Sequence, residues 1–123
     1  MVKESDFLIG VVDDNPQNAT YISETLEFRG FRCFEAYDME DAIKGAKGKK
    51  PDLMLLDIKM QYDHEGYKIA REIKNIKVLF IASETPDSKM LKLKNVGGYV
   101  MKPFDPEELV MKVRKILKLP KNN

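Results

Sequence analysis

Short apolar runs that end abruptly on a polar residue recur along the chain and predict strands buried on both faces. Phe7-Leu8-Ile9-Gly10-Val11-Val12 stops at Asp13, Leu53-Met54-Leu55-Leu56 at Asp57, Val78-Leu79-Phe80-Ile81-Ala82 at Ser83, and Tyr99-Val100-Met101 at Lys102. A further strand is expected over about Arg32 to Ala36. Between the runs the apolar positions change to helical spacing. Ala19, Ile22 and Leu26 share one face of a helix that Asn15 can cap and Pro16 can open, and Gly30 is placed to end it.

Asp38, with Asp41 three residues on, resembles the start of a second helix through about Lys47, broken by Lys49-Lys50-Pro51. Gly66 precedes a helix from Tyr67 to about Lys74 that turns Ile69, Ala70 and Ile73 inward. Thr85-Pro86-Asp87 marks a loop, Ser88 to Asn95 can make only a short helix, and Gly97-Gly98 leads into the last strand. Asp105-Pro106-Glu107-Glu108 is a strong helix opening, and Leu109, Val110, Val113, Ile116 and Leu117 form the apolar stripe that follows. Five strands alternating with five helices, joined by connections too long for hairpins, predict an α/β fold: a five-stranded parallel sheet with helices on both faces. Ligands of such sheets bind at the carboxyl ends of the strands, near the point where strand order reverses.

Composition narrows the picture without changing it. The chain has 123 residues, room for one domain, with an expected core over about 7–117 and a tail over 118–123 in which Lys121-Asn122-Asn123 has a solvated character. A net charge of +1 supplies no bulk field to recruit nucleic acid or anionic lipid. No apolar run approaches the roughly 20 residues a membrane helix needs, and Met1 to Asp6 lacks the apolar core of a signal peptide, so the expected location is the cytosol. Cys33 is the only cysteine, which excludes an internal disulfide and a thiolate metal cluster and leaves it a small core or half-buried residue.

The chemistry lies at the strand ends. The fold brings Asp13, Asp14, Asp57, Ser83 and Lys102 to one rim from four separate stretches of sequence. Carboxylates crowded together repel unless a cation sits among them, and hard oxygen ligands suit Mg²⁺. Asp57, ending the central apolar strand, is the natural nucleophile, and Asp13 and Asp14 are the natural metal holders. Metal and lysine together could neutralise an incoming phosphoryl group.

These residues resemble the response regulator receiver domains of two-component signalling. The resemblance rests on Asp13-Asp14-Asn15, on Asp57-Ile58-Lys59-Met60 with the later Glu65-Gly66, and on Tyr99-Val100-Met101-Lys102-Pro103-Phe104, and it covers about residues 7 to 117. It implies a (βα)5 flavodoxin-like fold with strand order 2-1-3-4-5. It also implies a phosphoacceptor switch rather than an enzyme, with Asp57 phosphorylated from a phosphohistidine on a sensor histidine kinase or phosphotransfer protein. Mg²⁺ would be bound by Asp14, Asp57 and the backbone carbonyl of Lys59, with Asp13 contributing through water. Lys102 would contact the phosphoryl oxygens, and Pro103, in a cis bond, would hold the lysine loop. Ser83 and Tyr99 would form the switch, repacking the face made by the fourth helix, fifth strand and fifth helix. No direct nucleic-acid or membrane partner is implied, and the downstream effector is left open. In the same family, Lys59 and the residues near Glu84 and Thr85 occupy positions that tune phosphate lifetime.

The chain departs from the family in three places. Gln61 stands where Pro is usual, and Gly66 falls one residue late, so the loop Gln61-Tyr62-Asp63-His64-Glu65 reads as one residue longer. Aligning the fourth strand by its apolar run puts Ala82 at the position where Thr is common, whereas aligning by chemistry selects Ser83, the preferred assignment. The stretch from Ser83 to Lys102 is a few residues short, which predicts a short or displaced fourth helix. An aspartyl-nucleophile phosphatase would need an acid at Lys59, and a flavodoxin would want a Ser/Thr/Gly-rich loop where Asp13-Asp14-Asn15-Pro16-Gln17 stands. The remaining rival is a receiver-fold interaction module not switched by phosphorylation. His64, alone in a polar loop, and Lys44, Lys47, Lys49 and Lys50 read as solvated side chains.

Overall fold

A computed structural model describes residues 2–60 and 64–120; Gln61, the middle of its loop and Lys121-Asn122-Asn123 lie outside the described residues. The elements run β1 (Leu8–Val12), α1 (Pro16–Phe28), β2 (Arg32–Ala36), α2 (Met39–Lys49), β3 (Leu53–Asp57), α3 (Glu65–Glu72), β4 (Lys77–Ala82), α4 (Ser88–Leu91), β5 (Val96–Met101) and α5 (Pro106–Ile116). All neighbours pair in parallel, in the order β2-β1-β3-β4-β5. This is the doubly wound, flavodoxin-like arrangement that the sequence implied.

The uninterrupted hydrocarbon of β1, β3 and β4 follows from this layering, because each successive side chain meets a different helical layer. Ile9, Val11, Leu53, Leu55, Leu79 and Ile81 pack on α1 and α5. Val12, Met54, Leu56, Val78, Phe80 and Ala82 pack on α2, α3 and Met90 of α4. The helices start where their caps stand. The side chains of Asn15, Asp38 and Asp105 accept from the backbone N–H groups of Gln17, Asp41 and Glu107, satisfying amides that the first turn leaves unbonded. Gly30, at φ +100°, turns the chain out of α1, and Lys50, at φ 48°, closes α2.

Three boundaries depart from the sequence expectation. Strand β5 begins at Val96 and takes in both glycines. Leu79 pairs with Gly98 while Val78 pairs with Val96, so Gly97 is the extra residue of a bulge. A Cβ at Gly97 would lie 2.8 Å from Ile116 of α5, and its absence lets the helix close on the strand. Helix α3 starts and ends two residues early, at Glu65 and Glu72. Helix α4 is a single turn ending at Leu91, the short helix expected within 88–95.

One side chain accounts for both of the last two observations. Asn95 Nδ2 donates to the carbonyls of Ala70, Ile73 and Ile76 at 3.0, 3.2 and 3.0 Å, closing the carboxyl end of α3 and drawing its own segment away from helix α4. Replacing Asn95 with Ala removes this shared donor, though Ile73 keeps the Ile76 N–H at 2.9 Å, and is expected to cost about 2 kcal/mol, read as a lower denaturation midpoint at unchanged slope. Past α5, Leu119 packs against the α1 and α5 layer and Arg114 Nη2 donates to the Pro120 carbonyl at 2.6 Å, while Lys118 and Pro120 are exposed.

Candidate functional site

The rim is built from strand ends. The Asp13 N–H donates to the Ala36 carbonyl at 3.1 Å, fixing the end of β1 against β2. Asp13 Oδ1 accepts from Asn15 N–H at 2.9 Å. Because Asn15 itself caps α1, neither aspartate before it is used as the cap. Asp57 is the last residue of β3 and pairs with Ile81, and the next amide, Ile58 N–H, donates to the Ile81 carbonyl at 3.0 Å. The Lys102 N–H donates to the Ala82 carbonyl at 2.8 Å, so the lysine leaves β5 level with the end of β4. The Lys102–Pro103 peptide bond is cis.

These anchors gather the charged groups. One carboxylate oxygen from each of Asp13, Asp14 and Asp57 falls within 4.8 Å of the others. Lys102 Nζ lies 3.2 Å from Asp57 Oδ2 and 3.7 Å from Asp13 Oδ2. Asp57 is 5% exposed and Asp13 1%, while Asp14 faces solvent. Burial pushes the Asp57 carboxyl up to about 6, with Asp13 and Asp14 adding repulsion and the Lys102 ammonium opposing the rise. Burial raises Asp13 as well, against the Asn15 N–H and Lys102.

One ammonium cannot neutralise three carboxylates. Asp13 Oδ2 is fully buried without a hydrogen-bond donor, a costly condition for a carboxylate oxygen. An all-oxygen set with an excess of negative charge and an unsatisfied buried acceptor fits a hard divalent cation such as Mg²⁺.

The other expected residues fall around this cluster. Lys59, two residues past Asp57, places Nζ 2.9 Å from Glu84 Oε1, joining the loops after β3 and β4 across the side of the rim. Ser83 is exposed, the first residue past β4, and lines a cavity of about 60 Å³ with Ile58, Lys59, His64 and Glu84. Ala82 is buried and shares its layer with Tyr99. The face that holds the aromatic therefore carries Ala82, and the hydroxyl stands one residue beyond it. Tyr99 is half-buried, with Lys112 Nζ 5.6 Å from its ring centroid. His64 is exposed, holds φ 65° at the entry to α3, and belongs to no metal-holding group among the described residues. Cys33 is half-buried, and burial pushes its thiol up to about 12, which keeps it protonated and unreactive.

Sequence reasoning missed the part played by Gly66. A Cβ there would lie 2.5 Å from the Asp57 carbonyl oxygen and 2.8 Å from Ile58 Cα, so the first turn of α3 rests directly on the backbone that carries Asp57. A glycine inside a helix start, where propensity disfavours it, was the available signal.

The family model described as Response regulator receiver domain matches residues 9–114. The chain is 32% identical over 114 residues to the alkaline phosphatase synthesis transcriptional regulatory protein PhoP of Bacillus subtilis, covering 88% of this chain and 47% of that protein. It is 30% identical over 116 residues to the phosphate regulon transcriptional regulatory protein PhoB of Pseudomonas aeruginosa, covering 88% and 50%. It thus spans about half the length of these relatives. Among solved structures, a two-component response regulator from Clostridium difficile superposes with a TM-score of 0.79 at 27% identity, over 91% of this chain and 96% of that one. A match running from within β1 to within α5, over the whole sheet and its rim, admits one conclusion: the chain belongs to the response regulator receiver domain family.

Proposed function

We propose that this chain is a phosphoacceptor switch in which Asp57 takes a phosphoryl group from a phosphohistidine on a partner sensor kinase or phosphotransfer protein. The observation that carries this reading is Lys102 Nζ 3.2 Å from Asp57 Oδ2, beside more carboxylates than one ammonium can balance. An Asp57 oxygen forms the new O–P bond as the N–P bond breaks, and the imidazole leaves with the electron pair. The Lys102 ammonium, already against the carboxylate, follows the negative charge onto the phosphoryl oxygens. Asp14, Asp57 and the Lys59 carbonyl would hold Mg²⁺, with Asp13 acting mostly through water. Bound there, the ion supplies the remaining charge neutralisation that phosphoryl transfer needs. Receiver domains are signalling switches, and in this reading the group modified is the domain's own carboxylate.

Downstream, the Ser83 hydroxyl turns towards the phosphoryl group and Tyr99 turns inward, shifting the population of the face formed by α4, β5 and α5. Pro103 shapes the loop that carries Lys102. With a net charge of +1, the output passes through protein contact rather than direct DNA contact.

The placing of Ala82 on the Tyr99 face favours a second reading, a receiver-fold interaction module that phosphorylation does not switch. Incubation with Mg²⁺ and acetyl phosphate, followed by intact-mass measurement, decides between them. The switch requires the mass of one added phosphoryl group, whereas unmodified protein under conditions that label ordinary receivers establishes the module.

Lys59 and Glu84 give a kinetic prediction. Their ion pair joins the loops that follow Asp57 and β4, and in the proposed switch it restricts water attacking the aspartyl phosphate. Lys59→Ala is expected to shorten the aspartyl phosphate half-life roughly fivefold, equivalent to about 1 kcal/mol of barrier. Radiolabel loss after removal of the phosphodonor measures it, and an unchanged half-life removes Lys59 from this role.

A further inference from the structure

On the edge of the sheet remote from β2, a groove of about 550 Å³ runs along β5 between the loop after α4 and helix α5. Leu79, Val96 and Ile116 give it apolar walls, and Lys77, Lys94, Lys112 and Lys115 stand along it. Among the described residues that line it there is no acid. Lys112 already meets Glu108 at 3.5 Å, and in a chain with a net charge of only +1 the other three lysines on one groove are a local excess.

The backbone at this edge is also open. In a parallel ladder alternate residues turn their N–H and C=O groups to opposite sides. The Lys102 N–H donates to β4 at Ala82, so Tyr99 turns its groups away from the sheet. The Tyr99 carbonyl is met there by Lys112 Nζ at 2.7 Å. A side-chain ammonium thus stands where the N–H of a sixth strand would donate. Helix α4, one turn long, ends at Leu91, well before this edge begins at Val96.

We propose that β5 accepts an extended, acidic and apolar segment of a partner protein as an added strand, with carboxylates on Lys94 and Lys115 and apolar side chains against the half-buried Val96 and Ile116. The proposal deepens the output-face reading given above by naming the chemistry of what docks there. Lys112 releases the Tyr99 carbonyl to the incoming N–H and stays paired with Glu108, 3.5 Å away. A second copy of this chain is disfavoured, because two-fold pairing of this face sets lysines against lysines. The bulge at Gly97 and the lysines are the devices by which sheet edges avoid like strands, and the same devices select a strand of opposite charge. Nucleic acid would use the lysines but leave the apolar walls and the strand edge unmatched.

The test uses the full chain, unphosphorylated and after acetyl phosphate with Mg²⁺, titrated with a short peptide of alternating Glu and Val. A Lys/Val peptide and a single-stranded oligonucleotide serve as comparisons, with amide shifts read by NMR. The expected result is saturable binding of the acidic peptide with shifts centred on Gly98, Tyr99 and Met101. Lys94→Glu with Lys115→Glu should weaken it about tenfold or more, since both side chains are solvent-facing and their reversal leaves the fold intact. Equal binding of the Lys/Val peptide, tighter binding of the oligonucleotide, shifts elsewhere, or indifference to the reversal overturns the proposal. Acidic-peptide binding with the same affinity before and after labelling upholds the docking site and counts against the switch. Labelling at Asp57 without peptide binding does the opposite.

Discussion

Asp57→Asn is expected to abolish phosphoryl incorporation from acetyl phosphate and, in the absence of metal, to raise the stability of the fold by about 1–3 kcal/mol. The first effect follows from removing the nucleophilic oxygen. The second follows from the cost of keeping that carboxylate ionised in a buried, acidic rim. Its folded value of about 6 against an ordinary 3.8 corresponds to roughly 3 kcal/mol at neutral pH. Asn keeps the shape and loses the charge. In metal-free buffer the melting temperature should rise by several degrees. Saturating Mg²⁺ should stabilise wild type far more than the variant, closing or reversing the gap, because a ligand stabilises only the form that binds it.

The sign with pH is fixed by the same shift. A folded value above the unfolded one means that the folded state holds the proton more tightly. The stability contributed by Asp57 is therefore complete below 3.8 and lost as pH rises through about 6. Metal-free wild type should lose this contribution across that window, and the Asn variant should show a flatter profile. A variant no more stable than wild type at neutral pH would mean that Asp57 is not strained by its surroundings.

Gly66→Ala is the second large effect. The new Cβ would meet the Asp57 carbonyl oxygen and Ile58 Cα, both backbone atoms at the end of a buried strand, so neither can swing aside as a side chain can. Either α3 lifts off or the end of β3 shifts, at an expected cost of about 3 kcal/mol. Phosphorylation should slow too, because the displaced backbone carries the nucleophile. Gly48 provides the contrast: it lies in α2 with nothing within 4 Å of an added Cβ, so Gly48→Ala should stabilise by about 0.5–1 kcal/mol. Denaturant titration of the two variants should give shifts of opposite sign.

Much of the site was legible because its signals are local. An apolar run that stops at an acid marks the carboxyl end of a strand, and this holds at Asp13 and Asp57. The caps at Asn15, Asp38 and Asp105 were readable because the side chain that closes the helix lies within three residues of the amide it serves. What could not be read depends on contacts distant in sequence. Gly97 and Gly98 looked like a loop because Ile116, whose approach explains the missing Cβ, lies on another element. The end of α3 was placed two residues late because Asn95, which closes it, lies far downstream in the sequence. At the end of β4, strand alternation assigns Ala82 to the Tyr99 face. The path of Ser83 beyond the last ladder bond depends on Glu84 and Lys59, from two different loops.

Strand β5 bears on more than partner choice. It is bonded on one side only, carries a bulge, and has only a single helical turn before it, so the cost of opening it locally is lower than for β3, which is paired on both sides and wholly buried. Hydrogen exchange is therefore expected to be slow at the centre of the sheet and faster at this edge. Lys102 hangs from the fast end, joined to it at Met101 and to Asp57 through its ammonium. Under the proposed function, a change of charge at Asp57 reaches, through Lys102, a strand that the sheet holds on one side only.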